Sequence, residues 1–228
     1  MSDEGSEPPR SARQLRSTGS EDAPLGRGVV HLAALVLAVP AAIALVVHAG
    51  LAGGVWLYAA GLVGLFAVSA TYHRYSWSER ARRRWRQMDY ATIYFFIAAS
   101  MTPYCLLGVP GVLADVVLAV GWAAAAAAIV AVVVYFDPAR KLLSSGYLVL
   151  GWLIAVTLPV AFGRLSATEL SLLCATGVLY TLGAIVLATR WPDPHPSVFG
   201  YHEVWHTIVV AASACYFLVV WTISGPGH

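Results

Sequence analysis

The stretch HEVWH at residues 202–206 sets two histidines four positions apart. On a helix such a pair shares one face, so His202 and His206 can grip one metal ion. The stretch is also a literal H-E-x-x-H, the zinc signature of many metalloproteases. A protease of that kind needs a third ligand further along the chain, and no Asp or Glu follows Glu203. Only His228 remains among later histidines, and it is expected on the opposite side of the membrane, so the third ligand must come from upstream. In SATYH (69–73), Ser69 and His73 are again four apart on one face. Three imidazoles, from His73, His202 and His206, would leave a tetrahedral Zn2+ with one open position. Water there is acidified towards a pKa of about 7. Asp89 could hold or deprotonate that water, and Ser69 could orient a ligand or hydrogen-bond the water or the substrate. Glu203 is turned about 100° from His202 around the helix. It could serve as a general base, but its place in the first turn suits a helix cap better.

These residues lie far apart in sequence, so the elements that carry them must bring them together. The chain has 228 residues, 59% hydrophobic and only 11% charged. An ordinary soluble domain is about 25% charged, and the deficit points to a membrane protein. A spanning helix needs about 20 apolar residues. Seven such runs are present, at 29–48, 53–73, 88–108, 112–134, 141–161, 167–188 and 201–223. The expectation is an all-α membrane protein, a seven-transmembrane helix bundle with short loops and no soluble domain. Pro40 and Pro103 fall inside spans, where kinks are tolerated.

Positive charge sets the orientation. Of the 14 Lys and Arg residues, all but Arg164 fall on one side: in the N-terminal tail, in the loop 74–87, at Arg140 and Lys141, and at Arg190. This places the N-terminus in the cytoplasm and the C-terminus outside. His73 then ends span two, Asp89 begins span three, and His202 and His206 open span seven, all at the cytoplasmic leaflet. His48 and His228 fall on the external side, and His195 sits in a loop among prolines. His31, at the start of span one, reads as an interfacial residue, with a supporting role behind the metal ligands as the alternative.

Residues 1–28 are rich in Ser, Gly, Pro and both charge signs, and are expected to form a disordered cytoplasmic tail. Residues 224–228 form a short external end. The basic stretch HRYSWSERARRRWRQMD reads as a topology determinant with some attraction to anionic lipids. It is too short to suggest a nucleic-acid partner, and the expected partners are membrane lipids. Cys105, Cys174 and Cys215 stand singly inside apolar runs and read as small buried apolar residues.

With these residues in place, the chain resembles the hemolysin III family of bacterial membrane proteins. That family is part of the PAQR group, which includes the adiponectin and progestin receptors. The resemblance is carried by SATYH (69–73), RQMDYATIYFFIAASMTPY (86–104), TGVLYTLGAIVLA (176–188) and FGYHEVWHTIVVAAS (199–213). It implies a multi-pass protein of the cell membrane with His73, His202 and His206 as zinc ligands, Asp89 on the zinc-bound water, and Ser69 as the serine of S-x-x-x-H. The family is similar to alkaline ceramidases, which implies a membrane hydrolase linked to lipid homeostasis. One departure is Tyr90, where the family often has His; that position is not one of the three ligands.

Three functions follow as expectations. The first is a zinc-dependent hydrolase of lipid amides or esters. The second is a sensor or homeostasis protein in which zinc is structural. The third, from the family name, is a pore-forming cytolysin, for which no polar stripe runs along several spans. The oligomeric state stays open.

Overall fold

The computed structural model of the chain describes residues 26, 28–75 and 77–225, with side chains described outside 137–144. The expected tail up to residue 25, and the C-terminal residues 226–228, lie outside the described residues. The described chain is helical: α1 (Val29–Ala49), α2 (Val55–Arg74), α3 (Glu79–Pro103), α4 (Val112–Trp152), a short α5 (Leu158–Ala161), α6 (Ala167–Thr189) and α7 (Tyr201–Ile223). Among the described residues, six helical stretches are long and apolar enough to cross a membrane. The fifth expected run forms a shorter apolar stretch, Ser145–Ala161.

Two boundaries differ from the hydropathy pattern. Span three is expected to start at residue 88, but α3 starts at Glu79 and takes in most of the basic loop. The local sequence explains this. Ser78 caps the helix by accepting from the Ala81 amide at 3.4 Å, and Glu79 sits favourably in the first turn. Arginine is a strong helix former, so ERARRRWR continues the helix although it cannot enter hydrocarbon. The second difference is between spans four and five. The helix runs from Val112 to Trp152 with a break at Tyr135, where φ is −119° and ψ 25°. Gln87 on α3 donates to the carbonyls of Val132 and Val133, both at 3.2 Å, beside that break.

Pro103 lacks an amide proton, and the backbone widens after it into a π turn over Tyr104–Gly108. The fifth run loosens into a 3-10 segment at Leu153–Thr157 before α5. There Thr157 holds the Tyr104 hydroxyl at 2.9 Å, joining the two irregular segments.

Helices adjacent in sequence pack side by side: α1 on α2, α2 on α3, α3 on α4, and α6 on α7. α1 also packs on α7 and so lies between α2 and α7. The interior is filled by large side chains, among them Tyr58, Phe66, Phe96, Tyr104 and Tyr216. Polar side chains stitch the spans. Tyr216 on α7 donates to the Ser100 carbonyl on α3 at 2.7 Å, Tyr180 and Ser213 join α6 to α7 at 3.0 Å, and Trp122 donates to Thr102 at 3.1 Å. The outer surface is the reverse of a soluble protein's: Val47 is 79% exposed and Leu37 70%. Such a surface belongs in hydrocarbon, and the bundle is a multi-pass membrane protein. Of the three free cysteines only Cys105 is buried; Cys174 is exposed, against the expectation of a buried residue.

Candidate metal centre

His73 lies in the last turn of α2, and His202 and His206 lie in the first two turns of α7. One ring nitrogen from each comes within 4.8 Å of the other two. His202 Nε2 is 3.4 Å from His73 Nε2. Tetrahedral zinc with bonds of about 2.05 Å would hold its ligand atoms about 3.3 Å apart, so the trio is close to the required spacing. The ring planes meet at 68° for His73 and His202, 64° for His73 and His206, and 49° for His202 and His206. An ion bound by imidazole lies near the plane of each ring, and inclined planes have such a point in common. The donor set is borderline-soft nitrogen, which suits zinc among several divalent ions.

His31 belongs to this group in space but not as a ligand. Its ring lies face to face with that of His206, with centroids 3.8 Å apart and planes 7° apart. Parallel planes have no common point for one ion, so His31 and His206 cannot share it in this arrangement. His31 is 3% exposed. It is therefore not the water-facing interfacial residue that its position at a helix end predicts. Its other ring neighbour, Phe66, is inclined to it by 61° with centroids 5.3 Å apart. α1 brings His31 here because it packs between the two helices that carry the trio.

The start of α7 is held from several sides. Glu203 Oε2 accepts from the Gly200 amide at 2.9 Å, which is the helix cap expected of it. Glu203 is 1% exposed, and its Oε1 has no hydrogen-bond partner among the described residues. Asp193 Oδ1 accepts from the Tyr201 amide at 2.8 Å. Just before it, the Gly26 amide donates to the Val198 carbonyl at 2.9 Å. Gly28 has φ 76° and packs on α2; a Cβ there would lie 2.9 Å from the His73 Cβ. The end of the expected tail thus forms a wall of the site.

Ser69 and Asp89 are both buried. The Ser69 hydroxyl hydrogen-bonds the Asp89 carboxylate, coupling α2 to α3 one turn below His73. Asp89 stands outside the tight histidine trio. Tyr90 faces away from it, edge-on to Phe136 at 5.0 Å and near Tyr147 at 6.0 Å. His48 stacks on Trp221 at the far end of α1, with centroids 4.2 Å apart. His195 is exposed and pairs through its backbone with Phe199, and His228 lies outside the described residues. Sequence reasoning missed Asp193, Gly26 and Gly28. Only the glycines gave a signal, as small residues directly before an apolar run.

Comparison with known proteins agrees with this architecture. Residues 21–217 match the family model described as Haemolysin-III related. Hemolysin-3 of Bacillus cereus is 29% identical over 203 residues, covering 86% of this chain and 89% of that protein. The Hemolysin-3 homolog of Bacillus subtilis (strain 168) is 26% identical, covering 86% of this chain and 92% of its own. The human monocyte to macrophage differentiation factor is 29% identical over 170 residues, covering 73% of this chain and 68% of its own. The match takes in the histidine trio together with Ser69 and Asp89, and the chain belongs to the Haemolysin-III related family of multi-pass membrane proteins.

Proposed function

We propose that the protein is a zinc-dependent hydrolase of amide or ester bonds in membrane lipids, acting in membrane homeostasis. The observation that carries this reading is the histidine trio, at near-tetrahedral spacing, with a buried Ser69–Asp89 pair one turn away. His73, His202 and His206 would hold the ion. When bound, zinc supplies Lewis-acid polarisation of a carbonyl and acidifies water. Asp89 takes a proton from the attacking water and passes it to the leaving group; Ser69 keeps the carboxylate aimed. The balance is that of hydrolysis. The water oxygen bonds to the acyl carbon, the C–N or C–O bond breaks, and the proton goes to the departing amine or alcohol. The arginine-rich start of α3 lies beside the site in sequence, which supports chemistry at the cytoplasmic leaflet by the positive-inside rule.

The test is metal analysis followed by turnover. Purified protein should contain one zinc per chain and cleave at least one member of a panel of lipid amides and esters. His206→Ala, still folded, should do neither. Turnover equal to wild type in that variant would overturn the reading.

A second reading is a sensor in which zinc is structural. It is favoured by the way the trio joins the end of α2 to the start of α7, since an ion there would tie two distant segments together. In that case His73→Ala lowers thermal stability and no cleaved lipid accumulates with wild type. A cytolytic pore draws no support from the packing, because large aromatic side chains occupy the middle of the bundle.

A further inference from the structure

His31 is buried, aromatic and polar, and the reaction described above gives it no task. Both of its ring nitrogens are buried without a hydrogen-bond partner among the described residues. A neutral imidazole always carries one N–H donor and one acceptor. Leaving such a group unsatisfied in a dry interior costs about 1–3 kcal/mol. If packing alone were needed there, phenylalanine would fill the place without that cost. The ring also touches the metal centre directly, lying parallel to His206 with centroids 3.8 Å apart. It cannot share the ion with His206 in that arrangement. With no partner among the described residues, its nitrogens suit a polar group brought to the centre from outside, beside the ion.

We propose that His31 is a ligand-contact residue, whose ring nitrogens hydrogen-bond the oxygen that the ion carries at its open position. Such an oxygen would come from water, or during turnover from the acyl carbonyl or headgroup of a lipid. The stacked geometry fits this role. The face of His31 steadies the His206 ring, while the nitrogens on its edge, buried here, would be met by an oxygen entering on the α1 side. The inference rests on the metal reading of the trio and assigns α1 a direct part in the site.

The test uses the full chain loaded with cobalt and titrated with acetohydroxamate, an oxygen ligand, followed by visible absorption. His31→Phe keeps an aromatic ring against His206 and Phe66 but has no nitrogens. It should bind one cobalt per chain as wild type does, while its hydroxamate affinity falls about tenfold, the effect of one hydrogen bond. His31→Gln, which keeps a donor and an acceptor but not the ring, should stay within about threefold of wild type. Hydroxamate affinity in His31→Phe equal to wild type would show that His31 only packs, and would overturn the proposal. Loss of cobalt from a folded His31→Phe would make it a metal ligand and overturn it equally. If His31→Phe does not fold, a tenfold loss in His31→Gln overturns it instead. A wild type that takes up no cobalt would sink the metal reading itself, an outcome distinct from all of these.

Discussion

His202 Nε2 stands 3.4 Å from His73 Nε2, across 129 positions of sequence. Two imidazole nitrogens facing each other repel unless one carries a proton or both share a cation. Metal binding at this site should therefore be coupled to stability. Zinc at about 100 times its dissociation constant should stabilise the folded chain by about 2.7 kcal/mol. In His73→Ala the gain should vanish. Thermal unfolding in detergent with zinc and with a chelator measures it, and an equal chelator effect on both proteins would exclude His73 as a ligand.

Ser69→Ala separates the Asp89 pair from the ion. The variant leaves three histidines in place but deprives the buried Asp89 carboxylate of its hydroxyl donor. Metal content should stay at one per chain. Turnover should drop about 10- to 100-fold, as for the loss of a group that orients a reacting residue. Ser69→Thr, which keeps a hydroxyl, should recover part of it. Metal loss in Ser69→Ala would place the serine in the coordination site instead.

Glu203 offers a clean distinction between cap and base. Its Oε2 accepts from the Gly200 amide at 2.9 Å. Glutamine can accept the same bond with its amide oxygen but cannot take a proton. Glu203→Gln should therefore keep turnover within a few-fold of wild type and lose about 0.3–1 kcal/mol of stability with the charge. Glu203→Ala should lose about 1–2 kcal/mol. Turnover abolished in a stable Glu203→Gln would restore the protease-like role suggested by HEVWH.

These residues also show where the sequence was readable. The trio was legible because each member follows from a rule: four-residue spacing fixes a face, and alternation of charged loops fixes a membrane side. Hydropathy could not read the start of α3, because Ser78 and the arginines build a helix without being apolar. It separates runs at 112–134 and 141–161, but it does not show that one helical trace, broken at Tyr135, joins them. His31 was misjudged because its depth depends on α1 lying between α2 and α7. No local pattern encodes that neighbour relation. Asp193 is invisible for the same reason: it caps α7 from eight residues upstream, across a loop.

Gly28 tests whether the end of the N-terminal segment belongs to the site. Its φ of 76° lies in the left-handed region, and a Cβ there would come 2.9 Å from the His73 Cβ and 2.8 Å from the Arg74 Cγ. The arginine stem can swing aside, but the His73 Cβ is fixed to the α2 backbone. Gly28→Ala thus combines a conformational cost of about 1–2 kcal/mol with pressure on one ligand. It should lower the melting temperature and, because His73 is displaced from its partners, weaken zinc binding as well. Gly50 provides the control. It too has a positive φ, 63°, but a Cβ there would meet nothing within 4 Å. Gly50→Ala should lower the melting temperature by strain alone and leave zinc affinity at the wild-type value. Equal zinc affinity in the two variants would mean that Gly28 matters only for its own backbone, and that His73 tolerates the intrusion.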